Sequence, residues 1–415
     1  MYVSFDVAVD VLVVGAGPAG TAAAIELRQS GRSVMVIDKA TFPRDKCCGD
    51  GLTTLALREL ETLGLDPGDV AGWFDVGSAW LRSPSGREVE VPLPMTGIYA
   101  AVAPRRDLDD ALVRVAIARG ADVRQGHAFS SIDTGSADHI DVNVEDLGTV
   151  RTRYVIAADG MWSPVRKAVG ATIADYRGEW HAFRQYAGNV TGPAAERLIV
   201  WFEKDLLPGY AWSFPLPGNR ANIGFGVLRD GSRRIQDMAD LWRDLLARPH
   251  VADALGSGFE LEGRHTAWPI PARVDEVPLS HGRVLFVGDA AAATDVMTGE
   301  GIGQALLTGR LAVQAIIAAG ADASDSASAR YEREAQRHLF ADHRMSKRLG
   351  VVLKHPRGAS AAIWIVANSG TSGRRNFARW MFEDEPRAIV TSPRRWHRDF
   401  FKQPGAYQHR SATSS

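Results

Sequence analysis

The chain has 415 residues, which is enough for two or three domains and a sizeable core. Hydrophobic residues make up 45% and charged residues 23%, so the composition excludes a disordered or fibrous chain. With 48 Lys and Arg against 49 Asp and Glu, the net charge of −1 predicts no nucleic-acid partner. The charge is uneven, because residues 343–415 hold fourteen Lys or Arg and four Asp or Glu. This basic end indicates either peripheral contact with an anionic membrane or an ordinary solvated helical cap.

The two cysteines and the N-terminal residues predict the compartment. Cys47 and Cys48 are adjacent, and a disulfide between neighbours would be strained, so we expect free thiols in a reducing cytoplasm. The N-terminal sequence MYVSFDVAVDVLVVGAG lacks the basic start and cleavage site of a signal peptide. No stretch of 18 apolar residues occurs, so we predict a cytoplasmic protein that does not span a membrane.

Residues 9–38 show the pattern of a strand, a helix and a second strand. The runs VDVLVVG and SVMVID predict neighbouring strands that are buried on both faces of a parallel sheet. Between them Gly15, Gly17 and Gly20 open a helix, and Asp38 ends the second strand. Such glycines let a turn approach a pyrophosphate at the helix N-terminus, and the acid can accept from a ribose. The pattern predicts a dinucleotide site; the alternative is a turn that serves only helix packing.

The remaining elements alternate between helix and strand patterns. Residues 107–120 predict a helix, and residues 180–228 alternate in strand fashion with many aromatics, which predicts an antiparallel sheet in a second domain. Further helices are predicted at 235–247, from Gly301 onward, and at 326–349. The basic C-terminal remainder contains one apolar piece, at 359–367.

Three segments in chain order carry a family resemblance. They are the glycine motif with Asp38, YVIAADGMWSPVRKAVG at 154–170, and GRVLFVGDAAAATDVMTGEGIGQAL at 282–306. Together they resemble the FAD-binding motifs of the flavoprotein group that contains aromatic hydroxylases, flavin halogenases and geranylgeranyl reductases. The resemblance implies an α/β fold, with α+β in the second domain: a Rossmann-type FAD-binding domain, an inserted antiparallel-sheet substrate domain and a helical C-terminal region.

The resemblance also implies domain boundaries. The FAD-binding domain would be discontinuous, at 1–75, 100–178 and 280–325. The substrate-binding sheet would take 76–99 and 179–279, and the basic helical region would take 326–415.

FAD is the implied cofactor, and each matched residue has an implied role. Asp38 would accept from the adenosine ribose, Asp289 from the ribityl chain, and Arg105 would reach the flavin side unless it is a solvated helix-start arginine. The helix N-terminus near Gly301 would face the flavin ring and favour the negative charge of reduced flavin. Asp159 could also be a turn-forming cap. The implied cofactor-binding residues are Gly15, Gly17, Ala19, Gly20, Asp38, Lys39, Cys48, Gly49, Arg105, Ala128, Asp159, Asp289, Gly299, Gly301 and Ile302.

Two further segments distinguish the reductases within this group. FPRDKCCGDGL at 42–52 resembles their Pro-x-x-Lys-x-Cys-Gly motif, and YAWSFP at 210–215 with GFG at 224–226 resembles their Tyr-x-Trp-x-Phe-Pro motif. Tyr210, Trp212 and Phe214 would line an apolar slot for an isoprenoid chain; the alternative is a core aromatic cluster of the sheet. One position departs from the pattern: Val296 stands where the reductases usually have proline, which puts the substrate and finer mechanism in doubt.

Cys48 is the candidate catalytic residue, either modulating the flavin or donating to the substrate. Its ordinary thiol pKa of about 8.5 would leave it mostly protonated at neutral pH, and a packed, inert cysteine is the alternative.

The resemblance favours an FAD-dependent reductase that saturates C=C bonds of a prenyl chain, of geranylgeranyl or menaquinone type, by hydride transfer from reduced flavin. The electron donor would be NAD(P)H or a reduced carrier protein, and no metal is expected. The alternatives are an FAD-dependent aromatic monooxygenase, a flavin-dependent halogenase and a catalytically silent flavin-binding protein.

Overall fold

The computed structural model describes residues 7–229, 237–320, 324–391 and 401–410. The strands are β1 Val7–Val14, β2 Val34–Asp38, β3 Gly51–Leu52, β4 Phe74–Asp75, β5 Ser78–Arg82, β6 Glu88–Pro92, β7 Ala101–Val102, β8 Asp122–Gln125, β9 Phe129–Asp133, β10 Ile140–Val144, β11 Gly148–Ala157, β12 Trp180–Gly188, β13 Leu198–Trp201, β14 Tyr210–Leu216, β15 Arg220–Leu228, β16 Glu260–Ile270, β17 Ser280–His281 and β18 Val284–Phe286. The helices are α1 Pro18–Gln29, α2 Thr54–Leu63, α3 Arg105–Ala118, α4 Pro164–Ala168, α5 Asp237–Ala247, α6 Pro249–Leu255, α7 Ile302–Ala319, α8 Ser324–Ala335, α9 Ala341–Leu353, α10 Pro356–Asn368 and α11 Gly370–Met381.

An eight-stranded sheet forms the first layer of the molecule. Its main path runs β17-β18-β11-β1-β2-β8, and β9 and β10 extend from β11 as antiparallel strands. The central pairs β1/β2, β1/β11 and β11/β18 are parallel, so the carboxyl ends of these strands meet at one edge. Helices α1 and α7 pack against one another beside this sheet, and most of their residues are buried.

A seven-stranded sheet forms the second layer, in the order β16-β12-β15-β14-β13-β5-β6. Every neighbouring pair is antiparallel except β13/β5, which is parallel, so the expected antiparallel sheet is in fact mixed. Its strands all fall within 76–99 and 179–279. Strands β3, β7 and β4 form a small third sheet, in the order β3-β7-β4.

The C-terminal helices fold back over the second sheet. The predicted helix at 326–349 is observed as α8, a π-helical turn at Gln336–Phe340, and α9. Helices α10 and α11 contact one another and β6. Among the described residues, α7 alone is apolar and long enough to cross a membrane, but 61% of it is buried inside the protein. This burial identifies α7 as a core helix, and the predicted fold class is confirmed.

Candidate functional site

The glycine turn between β1 and α1 brings backbone segments unusually close. Gly15 has φ +104°, and a Cβ there would lie 2.3 Å from the carbonyl oxygen of Ala158. A Cβ on Gly20 would lie 1.8 Å from the oxygen of Gly15, so both positions require glycine for the fold itself. At Gly17 the nearest atom to such a Cβ is Arg44 Nη2, 3.7 Å away. Gly17 is the N-cap of α1 and no side chain caps that end, so its N–H groups face open space.

Asp38 links the glycine turn to the end of β2. Its Oδ2 accepts from the N–H of Ala16 at 2.8 Å, and its Oδ1 accepts from the N–H of Ala40 at 2.8 Å. The carboxylate is therefore oriented by the backbone, with its remaining lone pairs at the cavity wall. Lys39 is exposed beside it, and the carbonyl of Ala128 accepts from the N–H of Glu145 at 2.9 Å.

The carboxyl edge of the parallel sheet carries further acids. Asp159 Oδ2 accepts from the N–H of Val165 at 3.0 Å, while its buried Oδ1 has no hydrogen-bond partner. Burial raises the pKa of Asp159 to about 6. Asp289 follows β18 on the same edge. Arg105 lies nearby, but its guanidinium is committed to Asp109 through two 2.8 Å hydrogen bonds.

A cavity of about 1180 Å³ runs along this edge and on between the two large sheets. Seventeen of the eighteen predicted site residues line it, and the remaining one, Gly20, is buried. The lining members are Gly15, Gly17, Ala19, Asp38, Lys39, Cys48, Gly49, Arg105, Ala128, Asp159, Tyr210, Trp212, Phe214, Asp289, Gly299, Gly301 and Ile302. Their individual roles stay predictions.

The loop at 45–51 is anchored to the second sheet by buried polar groups. Asn222 donates to the carbonyl oxygen of Cys48 at 2.9 Å and to Asp50 Oδ2 at 2.7 Å. Tyr186 also donates to Asp50 Oδ2, at 2.7 Å, and Trp212 Nε1 donates to Asn222 Oδ1 at 3.0 Å. These bonds set the position of Cys48, whose Sγ accepts from the N–H of Asp50 at 3.3 Å.

The environment of Cys48 determines its chemistry. The thiol is free, and burial raises its pKa to about 12. Cys48 is therefore a neutral thiol throughout the physiological range, which leaves no thiolate nucleophile at this position.

The aromatic residues of β14 form one wall of the cavity. Tyr210, Trp212 and Phe214 alternate along the strand and share a face, with ring centroids 6.0 and 6.1 Å apart. Opposite them stand residues that the sequence analysis assigned only to a basic helical region. These are Leu349, Leu353, Ala359, Ala362, Ile363, Ile365, Val366, Phe377, Trp380, Met381 and Phe382. Helices α9–α11 thus complete the apolar end of the cavity, which helical periodicity alone did not indicate.

A largely buried acidic cluster lies where α7 begins. Glu300 Oε1 accepts from the N–H groups of Ile302 and Gly303 at 3.0 and 3.3 Å. The α7 N-terminus, expected to be free for a flavin, is thus already capped by this side chain. Glu383 and Arg387 reach the cluster from the segment after α11, and they form a 3.1 Å ion pair. No sequence pattern predicted roles for these three residues, although Glu300 stands between the two predicted glycines Gly299 and Gly301.

These features fit FAD. The α1 N-terminus is uncapped beside Gly17, where the chain leaves room for a pyrophosphate. Asp38 and the unpartnered Oδ1 of Asp159 offer acceptors along the same wall. The cavity continues from this polar end to an apolar end, as binding of an extended cofactor together with a lipid substrate requires.

Comparison with known proteins gives the same cofactor. Residues 8–345 match the family described as "FAD binding domain". A menaquinone reductase of Mycolicibacterium smegmatis is 35% identical over 370 residues, which cover 84% of this chain and 85% of that protein. Digeranylgeranylglycerophospholipid reductase 1 of Methanopyrus kandleri is 33% identical over 337 residues, covering 77% and 83%. The chain belongs to the geranylgeranyl reductase family of FAD-dependent oxidoreductases.

Solved structures place this reductase-family enzyme in a wider fold group. A geranylgeranyl bacteriochlorophyll reductase-like protein of Thermoplasma acidophilum superposes with a TM-score of 0.79 at 22% identity, over 93% of this chain and 98% of that one. A halogenase in complex with FAD gives a TM-score of 0.70 at 16% identity, over 92% and 85%. At these identities the likeness concerns the fold alone, and the sequence relatives identify the family.

Proposed function

We propose that this enzyme reduces C=C bonds in the prenyl chain of a menaquinone or a geranylgeranyl lipid. The observation that carries the proposal is the continuous cavity, which joins a dinucleotide end at Gly17 to an apolar end at Trp212 and Trp380. The relatives named as menaquinone and digeranylgeranylglycerophospholipid reductases support this substrate class.

The chain's own residues bind and orient the reactants. Reduced FAD supplies the hydride for such a reduction. The aromatic wall of Tyr210, Trp212 and Phe214 with α9–α11 holds the chain and excludes water, which prevents loss of reducing equivalents. The donor that reduces the flavin, NAD(P)H or a carrier protein, stays a prediction.

An anaerobic experiment tests the proposed function. The FAD-loaded enzyme is reduced with dithionite and mixed with menaquinone or geranylgeranyl lipids, and the products are examined by mass spectrometry. We expect a gain of two hydrogens per turnover with matching flavin reoxidation. Absence of product, with oxygen consumption coupled to an aromatic substrate under NAD(P)H, would identify a monooxygenase instead.

The proposal includes peripheral association of the enzyme with the cytoplasmic face of the membrane that contains such lipids. Between residues 343 and 382 the sequence has eight Lys or Arg and no Asp or Glu. Exposed apolar side chains stand among these charges, and Ile365 is 61% exposed while also lining the cavity. We name as the docking face the exposed residues Arg344, Arg348, Val351, Val352, Lys354, Arg357, Trp364 and Ile365.

Charge and apolar exposure together favour an anionic bilayer as the partner of the docking face. Basic residues are attracted by anionic headgroups, and exposed Trp364 and Ile365 can enter the interface. Because Ile365 borders the cavity, a prenyl chain could pass from the bilayer to the apolar end without crossing water.

Vesicle co-sedimentation tests the docking face. The enzyme should bind phosphatidylglycerol vesicles at low salt and should bind pure phosphatidylcholine vesicles more weakly. The double variant Arg348→Glu/Arg357→Glu should lose about 10-fold or more in affinity, since each basic residue contributes about 1 kcal/mol. Arg177→Glu/Arg264→Glu, with the same charge change at exposed positions outside the docking face, is the control. Equal loss in both variants, or no binding by the unmodified enzyme, would reject the docking face.

A further inference from the structure

Saturating an alkene needs a proton as well as a hydride, and three proton-bearing side chains meet near the start of α7. Cys48, Tyr210 and Glu300 all line the cavity, and Glu300 is close enough to both others for electrostatic interaction. Tyr210 donates its hydroxyl to the carbonyl of Thr298, so its proton is already engaged within the chain.

The charges around Glu300 do not balance if every acid is ionised. Among the described residues, Asp295, Glu300 and Glu383 share a largely buried space with one guanidinium, that of Arg387. Arg387 lies 3.3 Å from Asp295 and 3.1 Å from Glu383. Asp295 also accepts from the N–H and hydroxyl of Thr298, each at 2.8 Å, and from Ser346 at 2.7 Å. Asp295 is thus the best stabilised anion of the three.

Glu300 is the acid of the three that forms no ion pair among the described residues, although Arg387 is close enough to act on its pKa. Its Oε1 accepts hydrogen bonds from two backbone N–H groups, and no Lys, Arg or His in the described part of the chain lies within ion-pair distance of its carboxyl group. Burial and then repulsion from Glu383 raise the pKa of Glu300 to about 8. At neutral pH the group is therefore mostly a carboxylic acid that faces the cavity. Cys48 holds its proton much more tightly, with a pKa of about 12, and so is the weaker donor at neutral pH.

We propose that Glu300 is the proton donor of the reduction. This inference rests on the proposed prenyl reduction. The proton of Glu300 forms a C–H bond at one alkene carbon, and the hydride supplied by reduced flavin forms a C–H bond at the other. The π bond breaks, the alkene gains two electrons, and the flavin loses two. The carboxylate of Glu300 then takes a proton from solvent.

The acidic cluster predicts a pH profile. The rate of flavin reoxidation by the prenyl lipid should be constant at low pH and fall as pH rises through about 8, because the donor loses its proton. We call this fall the alkaline limb of the profile. The titratable and charged groups that face Glu300 are Glu383, Asp295, Arg387, Cys48 and Tyr210. Glu383→Gln removes the repelling charge, so it should move the limb to lower pH.

Glu300→Gln is the direct test, because the amide oxygen can still accept from Ile302 and Gly303. Single-turnover reoxidation by the prenyl lipid should slow by about 100-fold or more, and the alkaline limb should disappear. Reoxidation by oxygen, which requires no protonation at carbon, reports whether the variant still holds a competent flavin. A wild-type rate and an unchanged limb in Glu300→Gln would overturn the proposal.

A second measurement does not depend on turnover. In the oxidised holoenzyme, with glutamate side chains labelled with carbon-13, the infrared C=O band of a protonated carboxyl should be present at pH 7. It should titrate near pH 8 and be missing in Glu300→Gln. A band that is absent at pH 7 in the unmodified enzyme would also overturn the proposal. If the unmodified enzyme forms no saturated lipid but the band titrates as expected, the proposed function fails, while the assignment of a protonated Glu300 carboxyl at pH 7 stands.

Discussion

The two ends of the cavity are built in different ways. At the dinucleotide end, short stretches of contiguous sequence supply backbone N–H groups and carboxylates oriented by the backbone, those of Asp38 and Asp159. At the apolar end, side chains from the 45–51 loop, β14 and α9–α11 meet although more than a hundred residues separate each of these segments from the next in the chain. At the dinucleotide end we therefore expect single substitutions at a few backbone positions to abolish the site. At the apolar end we expect single side-chain substitutions to have smaller effects.

Gly20→Ala should give the largest effect, because the clash lies within the protein. The new Cβ would sit 1.8 Å from the oxygen of Gly15, which forces β1 and α1 apart. We expect loss of soluble folded protein, measured by yield and circular dichroism. Gly17→Ala, with 3.7 Å to its nearest neighbour, is the matched control for the fold. Equal yields of the two variants would show that the turn is less rigid than its geometry indicates.

Loss of FAD with the fold intact is the next effect in size. Gly17→Val fills the space before the α1 N-terminus, and Asp289→Ala removes an acid from the sheet edge. Both variants should purify as folded, colourless protein, with FAD content measured by absorbance. A yellow, FAD-loaded preparation of either variant would contradict its assignment to the cofactor site.

At the apolar end, Asn222→Leu should destabilise the 45–51 loop. The amide is fully buried and contacts Cys48, Asp50 and Trp212, so its removal leaves buried polar groups unpaired. We expect a loss of about 2–5 kcal/mol in the free energy of unfolding, measured with denaturant. An effect of less than about 1 kcal/mol would mean that water replaces the amide and that the loop is not held by this contact.

Cys48→Ser should have the smallest effect. Serine keeps a small neutral side chain, and the thiol it replaces is already neutral because its pKa is about 12. FAD should be retained and turnover should slow by only a few-fold, without a new pH dependence. A loss of about 1000-fold would return the principal chemical role to Cys48 and weaken the case for Glu300.

The sequence predicted residues that line the cavity where neighbours in the chain are also neighbours in the structure, and the roles of these residues stay predictions. The glycine motif and Asp38 are such a set, and the family motifs at 42–52 and 210–215 extended the prediction to Cys48 and the aromatic strand. The sequence did not predict Arg387 and Glu383, because nothing in a polar C-terminal segment indicates that the segment folds back to α7. We also expected free N–H groups at α7, which Glu300 occupies.

The sequence by itself determined the βαβ unit, the FAD assignment and the reductase family, because strand and helix periodicity, glycine geometry and motif order are local properties. Tertiary structure alone decided which acids share Arg387, how far the pKa of Cys48 rises, and which helices close the apolar end. These properties depend on burial and on contacts between distant segments. Burial sets the energy of a charge, and the residues next to an acid or a thiol in the chain do not specify which distant segments bury it.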